Sequence, residues 1–202
     1  SNNNIFQGDF DFQKMGIGGL DEQLKTLIRR AFAFRLTPGE YKKTLGIKQI
    51  RGIVLWGVAG CGKTTIAREL SKILKCDDFF TINGPELLDK YVGGSEEKVR
   101  KLFEPAEKNP KGFYVIFLDE MDSLCRKRGS SSGTGGEVGD KIVNQFLSKI
   151  DGKDSLNNIL IIGATNRLDM IDSAILRPGR LELHIEIRKT KKKGRLDILN
   201  IH

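Results

Sequence analysis

Long apolar runs are missing from this 202-residue chain. None approaches the ~18 residues that a membrane-spanning helix needs. Cysteine is scarce as well. Cys61, Cys76 and Cys125 form an odd set with no CxxC spacing, which argues against a disulfide framework or a zinc site and for a reducing, cytosolic setting. The opening residues SNNNIFQGDF lack an initiator Met, a basic n-region and an apolar h-region, so the chain reads as a cut-out fragment rather than a secreted precursor. No internal repeat is visible. A formal charge of +8 would suit a polyanion, but much of the excess is local. In 188-RKTKKKGR-195 six of eight positions are basic and no aromatic interleaves with them. Stacking platforms for bases are therefore absent, the stretch reads as a solvated turn, and no nucleic-acid partner is expected.

What is present suffices for one core. With 39% hydrophobic and 30% charged residues, a chain of this length folds as an ordinary globular domain. Apolar, β-branched runs alternate with helical patterns, the signature of an α/β fold with a mostly parallel sheet. Five strands are expected, at 53-IVLW-56, 79-FFTIN-83, 113-FYVIFL-118, 159-ILIIGA-164 and 183-LHIEI-187. Their near-continuous hydrophobicity predicts burial on both faces. Helices are predicted from Lys63 to Leu74, from Ser95 with Val99, Leu102, Phe103 and Ala106 on one face, and around Ile142, Val143, Phe146, Leu147 and Ile150. The Ser- and Gly-rich stretch 129-GSSSGTGGEVG-139 is expected to be a mobile loop.

Chemistry enters at 57-GVAGCGKTT-65. Gly57 to Thr64 satisfies G-x-x-x-x-G-K-[ST], with a strand before it and a helix after, the context of a phosphate-binding loop. Backbone N–H groups from Gly57 through Val58, Ala59, Gly60, Cys61, Gly62, Lys63 and Thr64 to Thr65 would cradle the phosphates of ATP or ADP. The Lys63 ammonium would reach the β- and γ-phosphates, the Thr64 hydroxyl would face Mg²⁺, and Gly60 and Gly62 let the backbone approach. A second strand delivers Asp119 and Glu120 to the sheet edge where ligands bind in open α/β folds. Asp119 would hold Mg²⁺ through water, and Glu120 sits where a base could orient the attacking water. Acidic residues after a strand also suit a helix N-terminus; the phosphate loop favours the catalytic reading. In 163-GATN-166, Asn166 follows the fourth strand, where its amide can hold that water. By itself such an Asn is a turn former.

Taken in order, GVAGCGKT, VIFLDEMD and GATNRLDMIDSAILRPGRLE resemble the AAA ATPase family. The resemblance runs from about Gly16 to the chain end. The stretches 15-MGIGGLD-21, 29-RRAFAFR-35, 83-NGPELLDKYVG-93, 144-NQFLSKIDG-152, 156-LNNILIIG-163 and 194-GRLDILNIH-202 are similar, within that family, to the first ATPase domain of the maleimide-sensitive vesicle-fusing enzymes. The resemblance implies a homo-hexameric, Mg·ATP-driven machine that disassembles SNARE complexes with a SNAP adaptor, cytoplasmic and peripheral to Golgi, ER and vesicle membranes through its partners. Arg177 and Arg180 would reach the neighbouring subunit's γ-phosphate, and Tyr91, Val92 and Gly93 match the pore loop that grips a polypeptide. Ile17 and Gly18 match the segment against adenine, and His202 a histidine near the ribose. Residues 1–15 would be a leader, 16–190 the large αβ subdomain, and 191–202 the start of a small helical lid, largely absent. The fragment alone is then expected to be a weakly active monomer.

Two departures stand out. The family loop commonly has prolines where this chain has Val58 and Ala59, and acidic residues where it has Lys189 to Lys193. A segregase or membrane-remodelling member of the family would share the same catalytic residues. A nucleotide-gated binding module without hydrolysis would not need Lys63, Asp119, Glu120 and Asn166 together.

Overall fold

In a computed structural model the described residues are 49–88, 94–126 and 134–187, the first three of the last segment by backbone alone. Strands β1 (Gly52–Trp56), β2 (Asp78–Asn83), β3 (Tyr114–Asp119), β4 (Ile159–Thr165) and β5 (Leu183–Glu186) form one sheet in the order β2-β3-β4-β1-β5. Every pairing is parallel. Each of the five falls within a residue or two of its expected bounds.

Continuous apolar strands still sort their side chains by the two-residue period. Ile53, Leu55, Val115, Phe117, Leu160, Ile162 and Ala164 enter one core. Their neighbours Val54, Ile116, Leu118, Ile159 and Ile161 enter the other. Helix α1 (Lys63–Ile73) covers the first face, because Ile66, Ala67 and Leu70 fall on one side of it. On the second face lie the short α2 (Gly84–Leu88), α3 (Ser95–Lys108) and α4 (Thr134–Ile150). Glu96 and Glu97 in the first turn of α3 oppose its dipole, and Val99, Phe103 and Ala106 are buried. Phe103 meets Phe146 of α4 edge-on, ring centroids 5.5 Å apart. Burying one such side chain contributes about 1.5–3 kcal/mol.

The sequence expectation fails at 134–139, which are the first turns of α4 rather than loop. The reason lies in the apolar stripe. Val138 packs against the core with Ile142, Phe146 and Ile150, a run of four-residue steps that begins inside the Ser/Gly stretch. Glu137 favours the helix start. Gly139 is buried against the preceding turn, where a β-carbon would lie 3.3 Å from the Leu124 carbonyl oxygen.

Candidate active site

Parallel strands bring the phosphate loop, Asp119, Glu120 and Asn166 to one sheet edge, whereas Arg177 and Arg180 lie in the turn that enters β5, beside Gly52 at the opposite edge. Trp56 and Thr165 are register partners at the ends of β1 and β4, and Asn83 and Asp119 at the ends of β2 and β3. The chain leaving β1 is tied back at once, the Gly57 N–H donating to the Thr165 carbonyl at 3.2 Å. Val58, Ala59 and Gly60 are exposed and Cys61 is half-buried. Gly60 and Gly62 have φ of +72° and +90°, and a β-carbon at either would meet nothing within 4 Å. Backbone conformation, not space, demands glycine there. Helix α1 starts at Lys63 with no acidic residue in its first turn, so its N-terminal dipole is left for an anion. Thr64 and Thr65 are exposed in that turn.

The Lys63 ammonium donates to the Gly57 carbonyl at 2.9 Å, the Val58 carbonyl at 3.2 Å and the Asn166 Oδ1 at 2.8 Å. It lies 3.7 Å from the Cys61 Sγ. Two residues 103 positions apart are thereby joined.

Asp119 ends β3 half-buried, its Oδ1 accepting the Glu120 N–H at 2.9 Å. Glu120 is exposed and sits in the left-handed region, φ +48°, ψ +44°. For a residue with a β-carbon this costs on the order of 1 kcal/mol and persists only where the surroundings impose it. Here they do. Ser123 donates to the Glu120 carbonyl with both its N–H, at 3.1 Å, and its Oγ, at 2.9 Å. Gly84, first residue of α2, closes the other side. A β-carbon there would fall 2.3 Å from the Ser123 Oγ and 2.5 Å from the Glu120 oxygen.

The turn 177-RPGR-180 closes with the Arg180 N–H on the Arg177 carbonyl at 3.1 Å, and Gly179 has φ +85°. Pro178 and Gly179 thus occupy the corners that a type II turn assigns to them. Arg177 is exposed and, among the described residues, its guanidinium has no ion pair. Arg180 is held within the chain, its Nε 2.8 Å from the Asp151 Oδ2 and its Nη1 2.8 Å from the Ala174 carbonyl. Ile17, Gly18, Tyr91, Val92, Gly93 and His202 lie outside the described residues, as do Lys189 to Lys193.

Sequence reasoning passed over several groups at this edge. Thr165 is buried, and its Oγ1 donates to the Asp122 Oδ1 at 2.8 Å and accepts the Arg167 N–H at 3.0 Å. Asn83 has a buried Oδ1 without a partner among the described residues. Cys125, at the end of the turn after Glu120, is buried; that burial, then the charges of Asp122 and Asp172, push its thiol up to about 12. Thr165 lay inside the GATN stretch already singled out, but nothing local marked its hydroxyl as a junction.

A glycine loop before a helix, an acidic pair after the strand two places away and an amide on the strand between them define a P-loop nucleotide site. Residues 53–189 match the model of the ATPase family associated with various cellular activities, AAA, and the chain belongs to that family. Its curated relatives include the Vesicular-fusion protein sec18 of Schizosaccharomyces pombe, 53% identical over 208 residues, which takes in all of this chain and 26% of that protein. The Vesicle-fusing ATPase of Caenorhabditis elegans is 51% identical over 204 residues, 98% of this chain and 25% of that protein. An AAA ATPase forming ring-shaped complexes from Bifidobacterium dentium is 45% identical over 185 residues, 88% of this chain and 34% of that protein. The chain thus spans about a quarter of the length of the vesicle-fusion relatives.

Proposed function

We propose that this chain is the ATP-hydrolysing domain of a homo-hexameric machine that disassembles SNARE complexes presented by a SNAP adaptor. One observation carries the hydrolytic part: the Lys63 ammonium is shared between the loop carbonyls and Asn166, at the sheet edge that also bears Asp119 and Glu120. The names of the vesicular-fusion and vesicle-fusing relatives support the biological part, and the ring-forming relative supports the ring. Among the described residues no helix is long and apolar enough to cross a membrane.

In this reading the backbone amides of Gly57 to Thr65 bind the phosphates, and Lys63 carries its charge to the β/γ oxygens. Mg²⁺ fits the donor set. It needs hard oxygen ligands and takes only one or two carboxylates beside the phosphates. Thr64 offers an exposed hydroxyl and Asp119 the carboxylate oxygen that the Glu120 N–H leaves open. When bound, the ion neutralises charge developing between the β- and γ-phosphates. Glu120 accepts a proton from the water that attacks the γ-phosphorus; the bond to the bridging oxygen breaks, and that oxygen leaves with the electron pair on ADP. Asn166 orients the water through its amide. Arg177 and Arg180 act on the neighbouring subunit's γ-phosphate. Arg177 is ready for this role, whereas Arg180 must first release Asp151 and Ala174.

The test uses the full-length protein. Glu120→Gln should abolish ATP turnover, by about a hundredfold or more, while nucleotide still binds. The unaltered protein should release SNAREs from a complex with the adaptor only when ATP is present. An active ATPase that leaves the SNARE complex intact would move the assignment to a segregase-type AAA protein.

A further inference from the structure

Among the described residues only Ser71 and Thr165 are buried polar side chains. Ser71 returns its hydroxyl proton to the Ala67 carbonyl one turn back, at 2.7 Å, a bond inside its own helix. Thr165 does something different. Its Oγ1 donates to the Asp122 Oδ1 at 2.8 Å, 43 positions earlier, and accepts the Arg167 N–H at 3.0 Å, while its carbonyl accepts the Gly57 N–H at 3.2 Å. One residue therefore touches the phosphate loop, the loop bearing Asn166 and the turn bearing Glu120.

We propose that Thr165 and Asp122 are positioning residues for ATP hydrolysis: their hydroxyl–carboxylate bond fixes the Asn166 loop against the Glu120 turn. The inference rests on the reading that Glu120 and Asn166 flank the attacking water. On the Asn166 side, the residue is clasped between Thr165 and Arg167, whose N–H is tied to the Thr165 hydroxyl. On the Glu120 side, Asp122 belongs to the short 3₁₀ turn Met121–Ser123, whose Ser123 holds the Glu120 carbonyl twice. A charge-assisted bond between the two sides is stronger than one between neutral groups. Asp122 is only half-buried, so water can solvate its carboxylate if Thr165 withdraws. Loss of the bond should therefore appear in chemistry, where a displacement of about 1 Å can cost a hundredfold, before it appears in stability.

The experiment compares Thr165→Val, Thr165→Ser, Asp122→Ala and the double variant Thr165→Val/Asp122→Ala in the full-length protein, with Glu120→Gln as reference. Steady-state ATP turnover, affinity for a fluorescent ATP analogue and Tm are measured on each. Thr165→Val, which keeps the shape and removes the hydroxyl, should lower kcat about tenfold to a hundredfold with analogue affinity within about threefold. Thr165→Ser, which restores the hydroxyl, should recover kcat to within about threefold of the unaltered protein. Asp122→Ala should lower kcat in the same way but no further than Thr165→Val, which also strips the Arg167 N–H of its acceptor, and the double variant should be no slower than Thr165→Val, because the Thr165–Asp122 bond is already broken there. If Thr165→Val proves unstable, Asp122→Ala carries the same expectation from the half-exposed partner.

A normal kcat in Thr165→Val would overturn the proposal. So would a Thr165→Ser as slow as Thr165→Val, analogue affinity lost in step with kcat, or single effects that multiply in the double variant. Failure of the underlying reading looks different. Glu120→Gln that still hydrolyses ATP removes Glu120 as base, whereas an inactive Glu120→Gln beside a fully active Thr165→Val removes only the positioning role.

Discussion

Cys61 and Cys125 put two thiols near one site in opposite circumstances. Cys61 is half-buried in the phosphate loop with the Lys63 ammonium 3.7 Å from its sulfur. Cys125 is buried, with its thiol pushed up to about 12, so below that pH it offers neither access nor thiolate. Maleimide should therefore label Cys61 in the folded protein and spare Cys125 until denaturant is added. ATP should protect Cys61, because an alkyl group there competes with phosphate for the same loop. Mass spectrometry of the labelled peptides decides; equal labelling of Cys61 with and without ATP contradicts its place in the nucleotide site. At this scale the sequence is legible wherever a pattern is local. G-x-x-x-x-G-K-T, Asp119-Glu120 and Asn166 are short motifs whose residue types announce phosphate, metal and water. It was silent where two distant residues act together. Neither the Asp151–Arg180 ion pair, 29 positions apart, nor the Thr165–Asp122 bond leaves a local pattern.

The elements were legible for a related reason. Strands buried on both faces show as unbroken apolar runs, so all five could be placed without knowing their neighbours. Their order could not, because β1 pairs with β4 and β5 across more than a hundred residues of chain. The start of α4 was misread because composition spoke louder than spacing: Gly and Ser dominate 129–136, while the stripe that stabilises the helix needs only Val138 to begin. Packing between α3 and α4 then supplies a direct test of the core. Phe103→Ala removes a fully buried ring that meets Phe146 edge-on, and should cost about 3–5 kcal/mol in urea unfolding. A change under about 1 kcal/mol would mean that the α3–α4 contact does not exist as described.

For the whole molecule, the decisive question is whether its site is complete without a neighbour. Arg177 is exposed on a stiff turn, and among the described residues it has no ion-pair partner of its own. If it serves the next subunit, two damaged proteins should repair each other. Glu120→Gln subunits keep the arginine and lose the base, while Arg177→Ala subunits keep the base and lose the arginine. Mixed before assembly, they should hydrolyse ATP faster than either parent, since some interfaces pair an intact base with an intact arginine. A mixture as slow as its parents places the arginine's action within its own subunit or nowhere. The sheet sets a further condition on any such machine. Trp56 faces Thr165 and Asn83 faces Asp119 in register, so the loops proposed to act on phosphate leave β1, β4, β2 and β3 level with one another. Each strand residue advances the chain by about 3.3 Å and reverses its side-chain face. One residue gained or lost within β3 would carry Asp119 a full bond network away from Lys63 and turn the row Val115, Phe117 into the opposite core. The strands therefore act as rulers, and their lengths set where the residues at their tips stand.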